Sequence, residues 1–418
     1  AAVWLRCRSG RGVRQVKPPT TTCGGLSTQE ALVVAAYAFA TAAHVVIKAL
    51  QTARDAPWSR ALGTFTLLNL TFVTLPVSRT TVWLRLFSIS FERAVGFHRA
   101  LARWALVGMW GHFLTMVASK GSCVFDNSVS EGHPPLYGLA ALVLFTIVAA
   151  TAVASIRRRW FEVFRGSHYL FVPAYAFAVI HNRLLALYGL LPLTLYVVDV
   201  TARLWKRRRG HTATLVTFPE VTRVVVPKPD GFVAAAGQYC FLNVPAVSKW
   251  EWHPFSLTSP PHAPALIFHA KVQPGTTWTK RLATVAGGKP VHLPVTTTVF
   301  MEGPYGLLSA DLAGFDVVVL VAGGVGATPL LSIMECLAGR AAPRVVLVWA
   351  ARAPGDFMWA ANTLSRSAAT ATIHLHATRA AGVVAPQATQ LDDALPTVVL
   401  GRPDVSGVVA AAVAQRFP

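Results

Sequence analysis

Phe97–Ala118, FHRALARWALVGMWGHFLTMVA, is an apolar stretch with a histidine near each end, His98 and His112. A membrane-crossing helix needs about 20 apolar residues, and this stretch is long enough. An ionisable side chain inside such a segment is expensive to bury without a partner, which makes it a functional candidate. The arrangement recurs at His168 and His181, in a second apolar segment. The pairs are separated by 14 and 13 residues. At about 1.5 Å rise per residue, the two histidines of each segment stand roughly 20 Å apart, the separation needed to stack two haems across a bilayer. Four unrelated histidines satisfied within a helical bundle are the alternative, but two pairs of near-equal spacing favour iron ligation.

The register is imperfect. At about 100° per residue, 14 residues return a ring to within about 40° of the same face, whereas 13 leave it about 140° away. Pro173 lies between His168 and His181. An interior proline removes a hydrogen bond and kinks a helix, so a change of pitch is expected there.

Of 418 residues, 53% are hydrophobic and only 13% charged, too apolar for an ordinary soluble chain. Six membrane segments are expected: Glu30 to Leu50, Ala61 to Val77, Phe97 to Ala118, Leu136 to Ile156, His168 to Arg183 and Leu187 to Leu204. Basic clusters precede the first (Arg6, Arg8, Arg11, Arg14, Lys17), separate the second from the third (Arg79, Arg85, Arg93), follow the fourth (Arg157, Arg158, Arg159) and follow the sixth (Lys206 to Arg209). All four fall on one face, although Lys48, Arg54 and Arg60 weaken the asymmetry. Lysine and arginine collect on the cytosolic side, so both termini are expected in the cytosol. Much of the formal charge of +20 is then a topology signal that needs no nucleic-acid partner.

This topology makes the third and fifth segments parallel. His98 then matches His168 in depth, and His112 matches His181, giving an inner and an outer bis-histidine haem. Such ligation leaves no open iron position and suits electron transfer. The five cysteines form no close sequence pair, so no zinc or thiol-redox motif emerges.

After Arg209 the texture changes to short apolar runs broken by proline and glycine. Thr222 to Val226, Gln238 to Val244, Ala265 to Val272 and Val291 to Val299 suggest a small β-barrel. Asp316 to Val321, Arg344 to Trp349, Thr372 to Ala377 and Thr397 to Leu400 alternate with helical stretches, as in a doubly wound α/β sheet. The expected organisation is a cytosolic segment over 1–29, a membrane bis-haem domain over 30–209, a small β-barrel over 210–309 and a nucleotide-binding α/β domain over 310–418.

Val317–Met334, VVVLVAGGVGATPLLSIM, places strand, glycine turn and helix in the order a nucleotide site requires. Gly323, Gly324 and Gly326 let the backbone approach a pyrophosphate at the start of the following helix. Pro329 suits that helix's first turn. The bland alternative is a tight strand-to-helix connection.

Taken together, these features resemble the ferric reductase and NADPH oxidase superfamily, in which a haem-bearing helical membrane domain precedes a module that binds FAD and NADPH. Glu251–Ser259, EWHPFSLTS, resembles its flavin signature, which implies that His253, Pro254, Phe255 and Ser256 line FAD. Gln238, Tyr239, Lys271, Trp278 and Thr279 are similar to further flavin contacts, with Lys271 standing where an arginine is common. Glu302–Gly306, EGPYG, resembles the turn joining the module's two lobes. Gly323, Gly324, Gly326, Thr328 and Pro329, with Gly401, Arg402 and Pro403, resemble the NADPH contacts. Arg352 is the candidate for the 2′-phosphate.

The resemblance implies electron transfer from cytosolic NADPH through FAD and two b-type haems to an acceptor on the far face. A ferric chelate is the favoured acceptor, because the link after Asn182 is short and the stretch Leu191 to Asp199 resembles metalloreductases. Val247 to Trp252 is as close to the oxidases, and oxygen is the alternative. A multi-pass plasma-membrane protein is expected, with an organellar membrane as the other possibility. The family's closing strand and Cys-Gly-Pro motif do not occur before Pro418, so a C-terminally truncated chain is expected, and a catalytically inactive haem protein is a third reading.

Overall fold

The computed structural model describes residues 2–7, 13–15, 28–51, 57–78, 91–126, 134–287, 294–306, 312–338, 343–379 and 396–414. Arg8, Arg11, Lys17, Arg79 and Arg85 of the expected basic clusters lie outside them. Two compact units result: Thr28–Ala202, and Arg203–Pro418 together with Ala1–Ser27.

The first unit is helical: α1 (Thr28–Gln51), α2 (Pro57–Phe72), α3 (Phe91–Lys120), α4 (Pro135–Thr151), α5 (Ala154–Arg159), α6 (Phe161–His168), α7 (Phe171–His181) and α8 (Leu184–Lys206). Among the described residues, Glu30–Gln51, Pro57–Val77, Phe161–His181 and Leu184–Lys206 are long and apolar enough to cross a membrane. Leu32, Phe39, Leu50, Leu187, Leu190 and Leu191 point outward. Large apolar side chains facing outward along whole helices suit lipid rather than water. The first half of α3 carries Glu92, Arg93, Arg99 and Arg103, which dilute its hydropathy.

Buried small residues, Ala105 of α3, Ala141 of α4 and Ala178 of α7, pack with Leu67, Leu70 and Leu185 at the centre. Small side chains allow close helix approach where lipid supplies no hydrophobic drive. Arg93 at the start of α3 is ion-paired with the buried Glu30 at the start of α1, so both helices begin at the same end of the bundle.

Two expected boundaries are corrected. The fourth segment stops at Thr151 rather than Ile156, because the chain leaves helical geometry at Val153 before α5 begins. The fifth is not one helix kinked by an interior proline. It breaks after His168: the amides of Tyr169, Leu170 and Val172 bond carbonyls three residues back, the tighter 3₁₀ pattern. Pro173 sits in the first turn of α7, where its missing N–H is no loss. Each 3₁₀ residue advances the ring by about 120° rather than about 100°, which moves His181 in the direction that closes the mismatch.

The second unit holds two sheets. The strands are β1 (Ala2–Cys7), β2 (Val13–Gln15), β3 (Gly210–Thr217), β4 (Val221–Pro227), β5 (Tyr239–Asn243), β6 (His253–Ser256), β7 (Ala265–Lys271), β8 (Val295–Tyr305), β9 (Phe315–Gly323), β10 (Arg344–Ala351), β11 (Ala371–Ala377) and β12 (Val398–Leu400). The antiparallel sheet β6-β5-β8-β3-β4-β7 closes on itself through the Leu257–Phe268 bridge. A barrel closed this way has no open edge. Alternate inward residues, among them Leu215, Val224, Val226, Leu242 and Phe268, fill it, and α9 (Trp278–Val285) packs beside it.

In the other sheet, β9 to β12 are parallel neighbours in chain order, and β1 adds an antiparallel strand along β9. The central strands read as near-continuous valine and leucine, as expected of strands buried on both faces. α10 (Thr328–Leu337), α11 (Ala361–Ala368) and α12 (Val405–Ala414) complete this lobe.

The barrel and the α/β lobe meet at His269 of β7. Arg223 Nε donates to His269 Nε2 at 3.1 Å, Nδ1 donates to Thr258 Oγ1 at 2.8 Å, and the ring lies 4.4 Å from that of Trp359. Arg223 also donates to the Trp359 carbonyl. Burial, then the Arg223 charge, hold the imidazole well below its ordinary value of 6.5, so it stays neutral in the fold. The unfolded chain takes up a proton below that ordinary value, which the folded state refuses. This joint therefore contributes stability above about pH 6.5 that is lost as pH falls. The unfolding midpoint of the second unit should drop between about pH 7 and about pH 5. His269→Gln should show a smaller drop over the same interval, measured by denaturant titration; an equal drop would remove His269 from the cause.

Candidate functional site

The four histidines of the helical unit come together in the two expected pairs. The His98 and His168 ring centroids are 6.3 Å apart, and those of His112 and His181 are 6.2 Å apart. α3 therefore runs parallel to the α6–α7 segment. With imidazole–metal bonds of about 2.0–2.1 Å, two rings on opposite sides of one ion would have centroids roughly 6.4 Å apart. Each pair thus leaves room for one metal ion between its rings, as bis-histidine haem ligation requires.

Hydrogen bonds fix three of the four rings. Nδ1 of His98 donates to the Val73 carbonyl at 2.8 Å, that of His112 to the Ser59 carbonyl at 2.8 Å, and that of His181 to the Pro134 carbonyl at 3.0 Å. A carbonyl only accepts, so Nδ1 carries the proton and Nε2 keeps its lone pair, the tautomer a metal ligand needs. His168 Nδ1 is buried without a hydrogen-bond partner among the described residues. Its ring is flanked by Phe164 and Phe171, with centroids 5.2 and 6.2 Å away.

Two glycines make space for the second pair. A Cβ at Gly138 would lie 2.9 Å from the His181 ring, and one at Gly63 would lie 3.1 Å from His112 Nδ1. Neither glycine stands out in sequence, because only the tertiary approach of α2 and α4 gives them a role.

In the barrel, the register Phe241–Pro254 and Leu242–His253 sets the flavin-like motif on β6 beside β5. Phe255 stacks on Trp278 at 5.6 Å, and His253 lies 4.6 Å from the same indole. Trp278 is buried, and its Nε1 has no acceptor among the described residues. The indole belongs to the barrel core, and Phe255 and His253 stand between it and the surface of this edge. Glu251 joins this edge, 2.6 Å from Arg281 and 3.3 Å from His253 Nε2.

The other expected flavin residues make contacts of their own. The Gln238 side chain accepts from the Ala235 amide and donates to the Gly306 carbonyl, both at 2.7 Å. Tyr239 packs on Phe241 and Tyr305. Thr279 Oγ1 accepts from the Gln273 amide at 3.1 Å. Burial, then the Glu302 carboxylate, push the Cys240 thiol behind this strand up to about 12, so it remains a protonated core group.

A cleft of about 290 Å³ separates the barrel from the α/β lobe. Gly324, Lys271 and Arg352 line it, with Glu220, Asp356 and Trp359. Lys271 thus lies in the cleft with the glycine turn, 3.9 Å from Glu220. Asp356 Oδ2 accepts from the amides of Arg352 and Ala353 at 3.0 and 3.1 Å and fixes that turn. A Cβ at Gly323, Gly324 or Gly326 would meet nothing within 4 Å, and Gly324 of these lines the cleft. Gly324 has φ +50° and holds the Trp349 indole N–H on its carbonyl at 2.9 Å. Thr328 is buried at the start of α10, followed by Pro329. Gly401, Arg402 and Pro403 follow β12, separated from β9 by two strands, and do not line the cleft.

Three family models match the chain: "Ferric reductase like transmembrane component" over residues 62–179, "FAD-binding domain" over 207–309 and "Ferric reductase NAD binding domain" over 315–394. Respiratory burst oxidase homolog protein E of Arabidopsis thaliana is 27% identical over 373 residues, covering 73% of this chain and 39% of that protein. Respiratory burst oxidase homolog protein B of Solanum tuberosum is 26% identical over 386 residues, covering 70% and 44%. Dual oxidase 2 of Rattus norvegicus is 29% identical over 322 residues, covering 66% and 21%. The chain spans less than half the length of these curated relatives.

Gly138→Ala should displace the His181 ring and, where the histidine pairs hold haem, should lower the haem content by about half. The haem content per polypeptide of the purified variant measures this, and unchanged content would show that the ring has room to move.

Proposed function

We propose, from its matches to three family models of the ferric reductase and NADPH oxidase superfamily, that the chain carries electrons from NADPH through FAD and two b-type haems across a membrane to oxygen. The observation that carries this reading is the pairing of four histidines at 6.2–6.3 Å in a helical unit with membrane-length apolar helices. When bound, FAD exchanges a hydride's two electrons for single ones, and haem relays single electrons.

The chain's own residues bind and orient. Lys271 and Arg352 offer positive charge to nucleotide phosphates in the cleft, and Gly323, Gly324 and Gly326 let that backbone come close. Phe255 and His253, backed by Trp278, present the aromatic face for the flavin. His98 with His168 and His112 with His181 would each hold one haem iron between their rings. Iron held by two histidines would have no open position and would supply one-electron relay rather than ligand binding at the metal.

Oxygen is preferred to the ferric chelate expected from sequence, because the similar relatives are named as respiratory burst and dual oxidases. One observation favours the chelate. α7 and α8 are joined by only Asn182 and Arg183, and so short a link leaves the His181 end uncapped by that connection.

Sealed vesicles of known orientation, given NADPH on the cytosolic face, distinguish the two acceptors. Oxygen as acceptor predicts stoichiometric superoxide, with ferric-chelate reduction abolished by superoxide dismutase. Chelate reduction that persists with dismutase would move the assignment to a metalloreductase. His98→Ala or His168→Ala should abolish transmembrane transfer while NADPH-to-dye reduction on the cytosolic face survives; equal loss of both activities would contradict the route.

A further inference from the structure

Arg207 lies one residue beyond α8, and its guanidinium grips the barrel at two points. It is ion-paired with Glu302 of β8, and it lies over the Trp252 ring, 4.4 Å from the centroid. The Glu302 side chain has no solvent exposure. It also accepts the Tyr305 hydroxyl at 2.6 Å, and Arg203 Nη1 stands 3.8 Å away. Burying a carboxylate is costly unless charge-assisted hydrogen bonds surround it, and Arg207, just past the last membrane-length helix, supplies one here beside the Tyr305 hydroxyl.

Both grip points lead to the flavin-like strand. Trp252 directly precedes His253. Glu302 lies opposite Phe241 in the β5–β8 pairing, and Phe241 lies opposite Pro254 in the β5–β6 pairing. One guanidinium therefore ties the helix exit to the start of β6 and, through β8 and β5, to its middle. An arginine that is ion-paired through Nε and stacked on an indole holds direction as well as distance, which a lysine would not.

We propose that Glu302 and Arg207 form a positioning clamp that holds the flavin strand against the end of α8 for electron transfer out of the flavin. The clamp rests on the electron route proposed above. Neither residue touches the nucleotide cleft, so electron entry from NADPH should be insensitive to it. Misplacement of about 1 Å between reacting partners can cost about 10²-fold in rate, and electron exit should feel the loss.

The test uses the full chain loaded with haem and FAD, as wild type, E302Q, R207Q, E302Q/R207Q and E302D. Three quantities are read: NADPH-driven reduction of a soluble dye, the anaerobic rate of haem reduction, and deuterium uptake by the amides of residues 203–209. E302Q and R207Q should keep dye reduction within about twofold of wild type while haem reduction slows by about tenfold or more. Uptake should rise in 203–209 alone. The double variant should be no slower than either single, as coupled partners behave, and E302D should recover part of the rate. Unchanged haem reduction in both single variants would overturn the clamp. So would parallel loss of dye reduction, haem reduction and exchange protection across the whole barrel, which marks a residue that only supports the fold. Absence of haem reduction in the wild type would overturn the electron route itself, and the clamp with it.

Discussion

Four half-buried imidazole rings in an apolar bundle face one another as two pairs, each with centroids 6.2–6.3 Å apart and room for one metal ion between them. That pairing sets much of the helical unit. α3 must be long enough to carry both His98 and His112. α6 and α7 must present His168 and His181 at matching depths. Carbonyls at Val73, Ser59 and Pro134 must sit where they can hold a ring proton. Gly63 and Gly138 must lack side chains where two rings come close. The proposed haems would join an arrangement in which the tautomers of three rings are already determined.

The second unit meets a different constraint, which is to bring a flavin-like face and a nucleotide turn near each other without fusing them. The closed barrel supplies a stiff edge in β6. The parallel sheet supplies an open glycine turn after β9. Arg223, His269 and Trp359 join the two lobes beside the cleft, so the cleft walls are positioned by a buried polar contact rather than by loop packing. Glu302 plays the corresponding role at the other end of the barrel, where the chain arrives from α8.

Much of this was legible in the sequence because it depends on local pattern. Apolar length marked the membrane segments, valine-rich runs marked β9 and β10, and glycine spacing marked the turn that precedes α10. The histidine pairs were legible because topology follows from charge asymmetry, and topology fixes which depths match. What escaped was tertiary. A helix break at Tyr169 and Leu170 carries no strong breaker, so the fifth segment read as continuous and Pro173 was given a kink it does not make. β6 was too short and too polar to register as a strand. Lys271 belongs to the barrel in sequence but points into the cleft. Gly138, Glu302 and His269 acquire their roles only from chain segments far away, and no periodicity announces such contacts.

Haem stoichiometry combined with electron paramagnetic resonance of the purified, oxidised protein is the most direct check on the paired histidines. Two haems per polypeptide, both low-spin with bis-imidazole signatures, are the expected result. One haem, or a high-spin signal from an iron with an open position, would contradict the pairing of His98 with His168 or of His112 with His181.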